Sequence, residues 1–376
     1  MKIDLEKRNT YNCDVAQPWL VDLAWLENNP GQLFNNSISV AERGMMLNNQ
    51  RNSSCEFNCF RAEDMGAISA RIIREGYIKS HTQTVTQPTI LDITVGSDCN
   101  LTCTYCTKEF SSAWRNDIQK NGAYILEDDN NRYQLNIKDK LIGALSQNQK
   151  ANLQSYNLFI KEIETISSNL DAVYISGGEP LLYNNLKEIL EKINNVPNVF
   201  LFTGLGINIK RFEKILNTLK NFSNITLYLS CENIGNYLEF NRYGINSAEY
   251  QKKIDLIKDS GTKFIFHSVL SNLSVFGFYD FLQQYRDHVQ GHDFVYTPDF
   301  MAMCVLDNTS KNKIRDQFQN DLLPWKTQLL QNLEAEPTSK QINNLGLFVK
   351  EFTKRRNINL VDIYPKHFTD WLDNVV

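Results

Sequence analysis

The chain has 376 residues, 42% hydrophobic and 11% aromatic, with a formal net charge of −4. That composition supplies a genuine core and excludes a disordered chain, while the acidic balance gives no bulk attraction to nucleic acid or to an anionic membrane. The length exceeds the ceiling for one simple core, so one large domain with one or two smaller parts is expected.

The N-terminal "MKIDLEKRNT" has no apolar core of a signal peptide, and no later stretch approaches the ~20 apolar residues that span a bilayer. A cytoplasmic protein is expected, with no membrane partner and with its thiols reduced. In that setting the eight cysteines (Cys13, Cys55, Cys59, Cys99, Cys103, Cys106, Cys231 and Cys304) point to metal binding or chemistry rather than to disulfides.

Residues 1–88 read as irregular, with turn-rich pieces such as "ENNPGQLFNNS" (27–37) and a helical stretch near 60–76. From about 90 the pattern changes. "TILDITVG" (89–96) reads as a buried strand, and apolar β-rich runs recur at 171–180, 198–204, 224–233, 263–272 and 292–301. Helical stretches at 184–195, 208–222, 247–261 and 275–289 separate most of them. Such alternation predicts a parallel sheet with βαβ crossovers, either a closed or partly closed barrel or an open doubly wound sheet. The first crossover carries a polar, Asn-rich insertion at 115–150. After about 308 the chain reads as helical to its end. The basic run "KEFTKRRN" (350–357) reads as a solvated helix face.

Between the first two predicted strands lies "SDCNLTCTYCTK" (97–108), which puts Cys99, Cys103 and Cys106 in one loop. Three thiolates in a short loop can grip a metal or an iron–sulfur cluster. Structural zinc sites take four ligands, usually as two separated CxxC pairs, whereas three ligands leave one iron of a four-iron cluster open to a small molecule. After the second strand, "ISGGEP" (175–180) offers Gly177 and Gly178, which permit close backbone approach. It also offers Glu179, which can accept a hydrogen bond from an ammonium group, and Pro180, which stiffens the turn.

CxxxCxxC with Tyr105 before its last cysteine resembles the signature of the radical SAM (S-adenosylmethionine) superfamily, and GGEP resembles that family's SAM-clamping motif. The resemblance implies that Cys99, Cys103 and Cys106 are the catalytic ligands of a 4Fe–4S cluster. SAM would be held by Tyr105, Gly177, Gly178, Glu179, Pro180, Ser230 and Arg242. The last two come from "LSCENIGNYLEFNRYG" (229–244), which resembles the family's fourth strand and following loop. One departure lies in "LFTGLG" (201–206), where the family often has Thr-Asn-Gly and this chain has Gly204 at the centre.

What the family implies is reductive cleavage of SAM to a 5′-deoxyadenosyl radical, which abstracts a hydrogen atom from a peptide or small-metabolite substrate. A low-potential reductant such as flavodoxin or ferredoxin is implied with it, and nucleic acid is disfavoured. The implied fold is α/β: a partial (β/α)6 TIM-type barrel over 89–307, an N-terminal twitch-like domain over 1–88 and a helical C-terminal cap over 308–376. Cys13, Cys55 and Cys59 are candidate ligands of a second, auxiliary iron–sulfur cluster. That set is one cysteine short, so a fourth ligand would come from substrate or another residue type, and otherwise the twitch would carry no cluster. Read without the family, the triplet also fits an iron–sulfur electron-transfer protein or a zinc-stabilised binding module.

Overall fold

A computed structural model describes residues 1–14, 16–64, 69–72, 86–128, 131–136 and 149–375. Parts of the helical stretch expected near 60–76 and of the 115–150 insertion lie outside the described residues. In chain order the strands are β1 (Lys2–Asp4), β2 (Asn9–Tyr11), β3 (Trp19–Leu20), β4 (Ile90–Thr94), β5 (Thr102–Cys103), β6 (Ala172–Ser176), β7 (Asn198–Thr203), β8 (Ile225–Ser230), β9 (Arg242–Tyr243), β10 (Lys263–Leu270) and β11 (Val289–Phe294). The chain divides into two compact units, one of Met1–Gly96, Gly143–Leu201 and Phe222–Ile225, the other of Ser97–Ile142, Phe202–Asn221 and Thr226–Val376.

In the first unit, β4, β6 and the start of β7 pair in parallel. Leu91 and Ile93 of β4, and Val173 and Ile175 of β6, are fully buried, the apolar density expected of strands covered on their faces. The helix Gln149–Ile166 precedes β6 and buries Phe159, Ile160, Ile163 and Ile166, a stripe at helical spacing. The N-terminal segment is less irregular than its sequence predicts. β1 adds to the sheet parallel to β4, pairing Ile3 with Ile93, and β2 and β3 follow antiparallel. Strands of two or three residues are too short to show a period of two, so only the fully buried Ile3 betrays the pairing.

Glu162 ties this N-terminal segment to the long helix. Its buried carboxylate accepts from the backbone N–H of Leu33 at 2.9 Å and from that of Gly31. Burial pushes its pKa up, and the bonds from Leu33, Gly31 and Gln32 work against that rise.

In the second unit β8, β10 and β11 run parallel. Alternation sorts their faces. Leu227 and Leu229 of β8, with Phe264, Phe266 and Leu270 of β10, are buried, and Phe266 packs at 5.0 Å on Phe281 of the helix Phe278–Tyr285. Tyr228, Ser230 and His267 fall on the opposite face, where Phe202 meets Tyr228 at 4.7 Å and His267 at 6.1 Å. His267 is therefore satisfied, with Nε2 2.8 Å from Asp293 Oδ2, but it is not the core histidine its apolar flanks suggest. β11 begins upstream of the expected 292–301 stretch and stops at Phe294. Its half-buried to exposed "VQGHD" lacks an apolar signature, and the apolar residues beyond it form a turn around Pro298.

The chain after 308 is helical as expected. The helix Ser339–Arg356 starts ahead of the apolar run at 344, because Thr338 and Gln341 form a capping box. The fold is α/β with parallel strands.

Replacing Glu162 by Ala orphans two buried N–H groups, so a loss of about 2–4 kcal/mol in unfolding free energy is expected in urea titrations. An unchanged midpoint and slope would show that the 31–33 loop needs no such anchor.

Candidate functional site

The glycine turn belongs to the first unit. The chain leaves β6 at Ser176, whose carbonyl accepts from Val95 N at 2.9 Å, while Gly178 N donates to Gly96 O at 2.8 Å. Gly177 sits at φ +147°, and a Cβ there would lie 2.6 Å from the carbonyl oxygen of Gly96. The turns after β4 and β6 thus pack backbone on backbone, which only glycine permits. Glu179 is 2% exposed. Its Oε1 accepts from Leu181 N at 3.1 Å, so it caps the short 3-10 turn Pro180–Leu182, with Pro180 at the turn's first position.

The cysteine loop belongs to the second unit. Cys99 is fixed at both backbone groups: its N–H donates to Ser112 Oγ at 3.0 Å, and its carbonyl accepts from Ser112 Oγ and from Ala113 N, both at 3.0 Å. Cys103 sits on β5, which pairs antiparallel with β9 so that Cys103 faces Arg242. The Cys103 carbonyl accepts from Trp114 Nε1 and from Cys106 N, both at 3.0 Å, and the Cys106 carbonyl accepts from the Tyr133 hydroxyl at 3.3 Å. Two turns pack on the loop. Asn100 Nδ2 donates to Gly206 O, and a Cβ on Gly244 would lie 3.0 Å from Asn100 O. The first of these turns departs from Thr-Asn-Gly by placing Leu205 at φ 53°. The buried ammonium of Lys253 donates to Leu205 O at 3.0 Å and to Ile207 O, holding that strained turn in place.

Burial pushes the Cys103 thiol up, with Arg242 pulling the other way, and burial together with Cys99 pushes Cys106 up to about 12. Both shifts favour the neutral thiol, so a metal bound there would compete with protons. Among the described residues no group of three or more Cys, His, Asp or Glu is placed to hold a single metal ion. A four-iron cluster asks something else, since each thiolate binds a different iron. Three thiols in one braced loop are a donor set that fits it.

Beside Cys103 lies a buried charge pair that sequence reading reached only in part. Glu232, 0% exposed, accepts from Arg242 Nη2 at 2.7 Å and from the Tyr105 hydroxyl at 3.2 Å. The Arg242 guanidinium stands 5.6 Å from the Tyr105 ring centroid. Burial works against the Arg242 charge, but Glu232, Tyr105 and Cys103 together hold the guanidinium above its ordinary pKa; burial raises that of Tyr105. Arg242 Nε is buried and has no hydrogen-bond partner, which leaves a donor for a ligand. Glu232 itself was missed. Its only sequence signal is an acid at the end of an apolar strand, directly after Ser230 and Cys231.

Ser230, at the end of β8, pairs with His267 and lies on the face opposite the helices. Cys231 takes the other side, 1% exposed, its thiol donating to Asn233 O at 3.2 Å. The N-terminal cysteines stand elsewhere, in the first unit. Cys55 and Cys59 are buried in a cluster with Phe60, flanked by Ala70, and burial raises the Cys55 pKa. Cys13 is partly exposed and donates to Asp14 Oδ1 at 3.2 Å, while Gln17 N donates to Ser54 O at 2.9 Å close by in the chain. Among the described residues no cysteine is in a disulfide.

Breaking the Glu232–Arg242 pair strands a buried charge. Glu232→Gln or Arg242→Met alone should cost about 3–5 kcal/mol in urea unfolding, and the double variant should recover most of the loss. Additive losses in the double variant would show that the two side chains do not interact.

A family model described as the Radical SAM superfamily matches residues 93–282, half of the chain. No curated protein matches it. Among solved structures, native anSMEcpe with bound AdoMet is similar at 17% identity over 55% of this chain and 51% of that one, with a TM-score of 0.36. SuiB of Streptococcus suis bound to the precursor peptide SuiA is similar at 14% identity over 91% of this chain and 66% of that one, with a TM-score of 0.34. The chain thus spans between half and two thirds of the length of these solved proteins. By the family match, which covers the cysteine loop, the glycine turn and the strands that follow, this chain belongs to the radical SAM superfamily of enzymes.

Proposed function

We propose that this protein reductively cleaves SAM at a 4Fe–4S cluster and uses the resulting radical chemistry on a peptide or a small metabolite. The observation that carries the reading is the braced loop that offers Cys99, Cys103 and Cys106 as its only ligand set, within a family match that spans it. When bound there, cluster and SAM together supply a one-electron cleavage of the sulfonium and a hydrogen-atom abstraction from a substrate C–H bond.

The chain's own residues bind and orient. The three thiols give up their protons to hold iron. Glu179, buried and held by its bond from Leu181 N, would take the amino group of SAM against the backbone of Gly177 and Gly178, with Pro180 fixing the turn. Arg242 offers its unpartnered Nε to the carboxylate, and Ser230 and Tyr105 contribute from the end of β8 and from the cysteine loop. On this reading, residues 89–307 are assigned to a partial (β/α)6 barrel, 1–88 to a twitch-like domain and 308–376 to a closing helical segment, an assignment supported by the family match over 93–282. A flavodoxin- or ferredoxin-like reductant in the cytoplasm would deliver the electron.

The N-terminal cysteines make the reading incomplete in one respect. Cys55 and Cys59, four residues apart and both buried, with Cys13 upstream, are the proposed ligands of an auxiliary cluster.

Two measurements test this. In anaerobically reconstituted protein, Cys99→Ala, Cys103→Ala and Cys106→Ala should each abolish 5′-deoxyadenosine formation from SAM. A variant that kept wild-type turnover would remove that residue from the site. Iron without SAM cleavage in the wild type would instead mean electron transfer, and zinc alone a binding module. The iron count of the same samples should be about eight per chain with an auxiliary cluster, falling to about four in Cys55→Ala/Cys59→Ala. A wild-type count of about four would leave the N-terminal cysteines as core.

A further inference from the structure

The family match ends at residue 282, yet the last residue of the helix Ser339–Arg356 reaches the cysteine loop. Arg356 Nη2 donates to Thr102 Oγ1 at 2.9 Å, and Thr102 directly precedes Cys103 on β5. Across the two-residue ladder Thr102 pairs with Tyr243, and the Arg356 guanidinium lies 4.8 Å from the Tyr243 ring centroid. On its other sides it stands 3.7 Å from the Phe352 ring and 5.5 Å from the Trp114 ring. Its Nη1 donates to the Tyr124 hydroxyl at 3.1 Å, and Asp117 Oδ1 lies 3.5 Å from Nη2. The side chain is 4% exposed.

The rings around this cation form a cluster whose polar tips hold the cysteine loop. Trp114 packs at 5.2 Å on Tyr133, at 6.1 Å on Phe348 and at 6.0 Å on Phe352. Trp114 and Tyr133 are the residues that donate to the carbonyls of Cys103 and Cys106. One helix thus supplies both the ring faces behind those donors and the guanidinium on Thr102. A rigid planar fork fixes the strand in position and orientation together, which a flexible ammonium cannot do.

We propose that Arg356 is a positioning residue for the iron–sulfur cluster: through Thr102 it fixes β5, and so the Cys103 thiol, at the separation from Cys99 and Cys106 that a cluster needs. The inference rests on the reading of the triplet as cluster ligands. It makes the C-terminal helix part of the site rather than a lid over it. Outer partners of metal ligands act in this way, and their loss typically lowers metal affinity about 10–100-fold.

The test separates positioning from general stability by breaking two bonds of the same guanidinium. Thr102→Val removes the bond that leads to Cys103, and Tyr124→Phe removes one that does not. Full-length protein is reconstituted anaerobically, and iron release to a chelator is followed by absorbance. Unfolding midpoints of the metal-free proteins are measured alongside, with reduced-cluster electron paramagnetic resonance spectra. Thr102→Val should release iron about tenfold faster than wild type and broaden the spectrum, while Tyr124→Phe releases at the wild-type rate. Arg356→Met should match or exceed Thr102→Val, and Arg356→Lys should restore the unfolding midpoint more than the release rate. Release rates that follow the unfolding midpoints alone, with both single-bond variants alike, would overturn the positioning role and leave the cluster reading standing. Wild-type protein that takes up no iron would overturn both.

Discussion

The loop that carries Cys99, Cys103 and Cys106, the proposed cluster ligands, cannot set the separations of its three thiols by itself. Its only regular structure is the two-residue β5. Chain entropy favours a spread of loop shapes at about 1–2 kcal/mol per residue, so the shape must come from bonds made by neighbours. Ser112 holds Cys99, Trp114 and the β9 ladder hold Cys103, and Tyr133 holds Cys106. Each such bond contributes only about 1 kcal/mol net. Together they oppose the entropy of a loop that has no core of its own.

The protons matter as much as the geometry. Cys103 is buried and Cys106 half-buried, both thiols are pushed up, and Arg242, which pulls them down, is already paired with Glu232. The direction of both shifts favours neutral thiols, which the interior tolerates as small hydrophobes, and an iron bound there, as proposed, would supply the positive charge as their protons leave. The Glu232–Arg242 pair is neutral as a unit for the same reason: either charge alone beside the cysteines would be costly in a dry site.

Sequence reading reached the family and the positions of the main strands because both rest on local signals. The spacing of Cys99, Cys103 and Cys106 and the GGEP turn are contiguous. The strands β4, β6, β7, β8 and β10 are apolar runs with turn residues at their ends, and all five fall within the expected stretches. What escaped has no local signature. β1 is three residues long and is recognisable only through its pairing with β4, some ninety residues away. Thr102, Trp114 and Tyr133 look like ordinary loop and helix residues until their partners are known, and the partner of Thr102 is Arg356, 254 positions on. The same "KEFTKRRN" run that reads as a solvated face contains two arginines with buried side chains, because Arg355 reaches Asp117 at 2.9 Å and Arg356 reaches Thr102 on β5. Charge in a helix predicts exposure only when no carboxylate or ring stack lies within reach of it.

Three consecutive residues at the end of β8 show how a strand divides structure from chemistry. With a period of two, Ser230 and Cys231 must point to opposite faces, and the pairing of Ser230 with His267 assigns Ser230 to the face away from the helices. Cys231, the more reactive group on paper, is thereby committed to the helix side, where its thiol is capped by Asn233 O. The chain then leaves the strand, and Glu232 turns to Arg242 and Tyr105. One shift of register along β8 would exchange the serine and the cysteine, bring the thiol to the open face and break the Glu232 contact with the cysteine loop. The buried Leu227 and Leu229 forbid that shift, since it would move both into the open face. The apolar alternation of β8 therefore fixes more than its own packing: it decides which face each of the neighbouring side chains occupies.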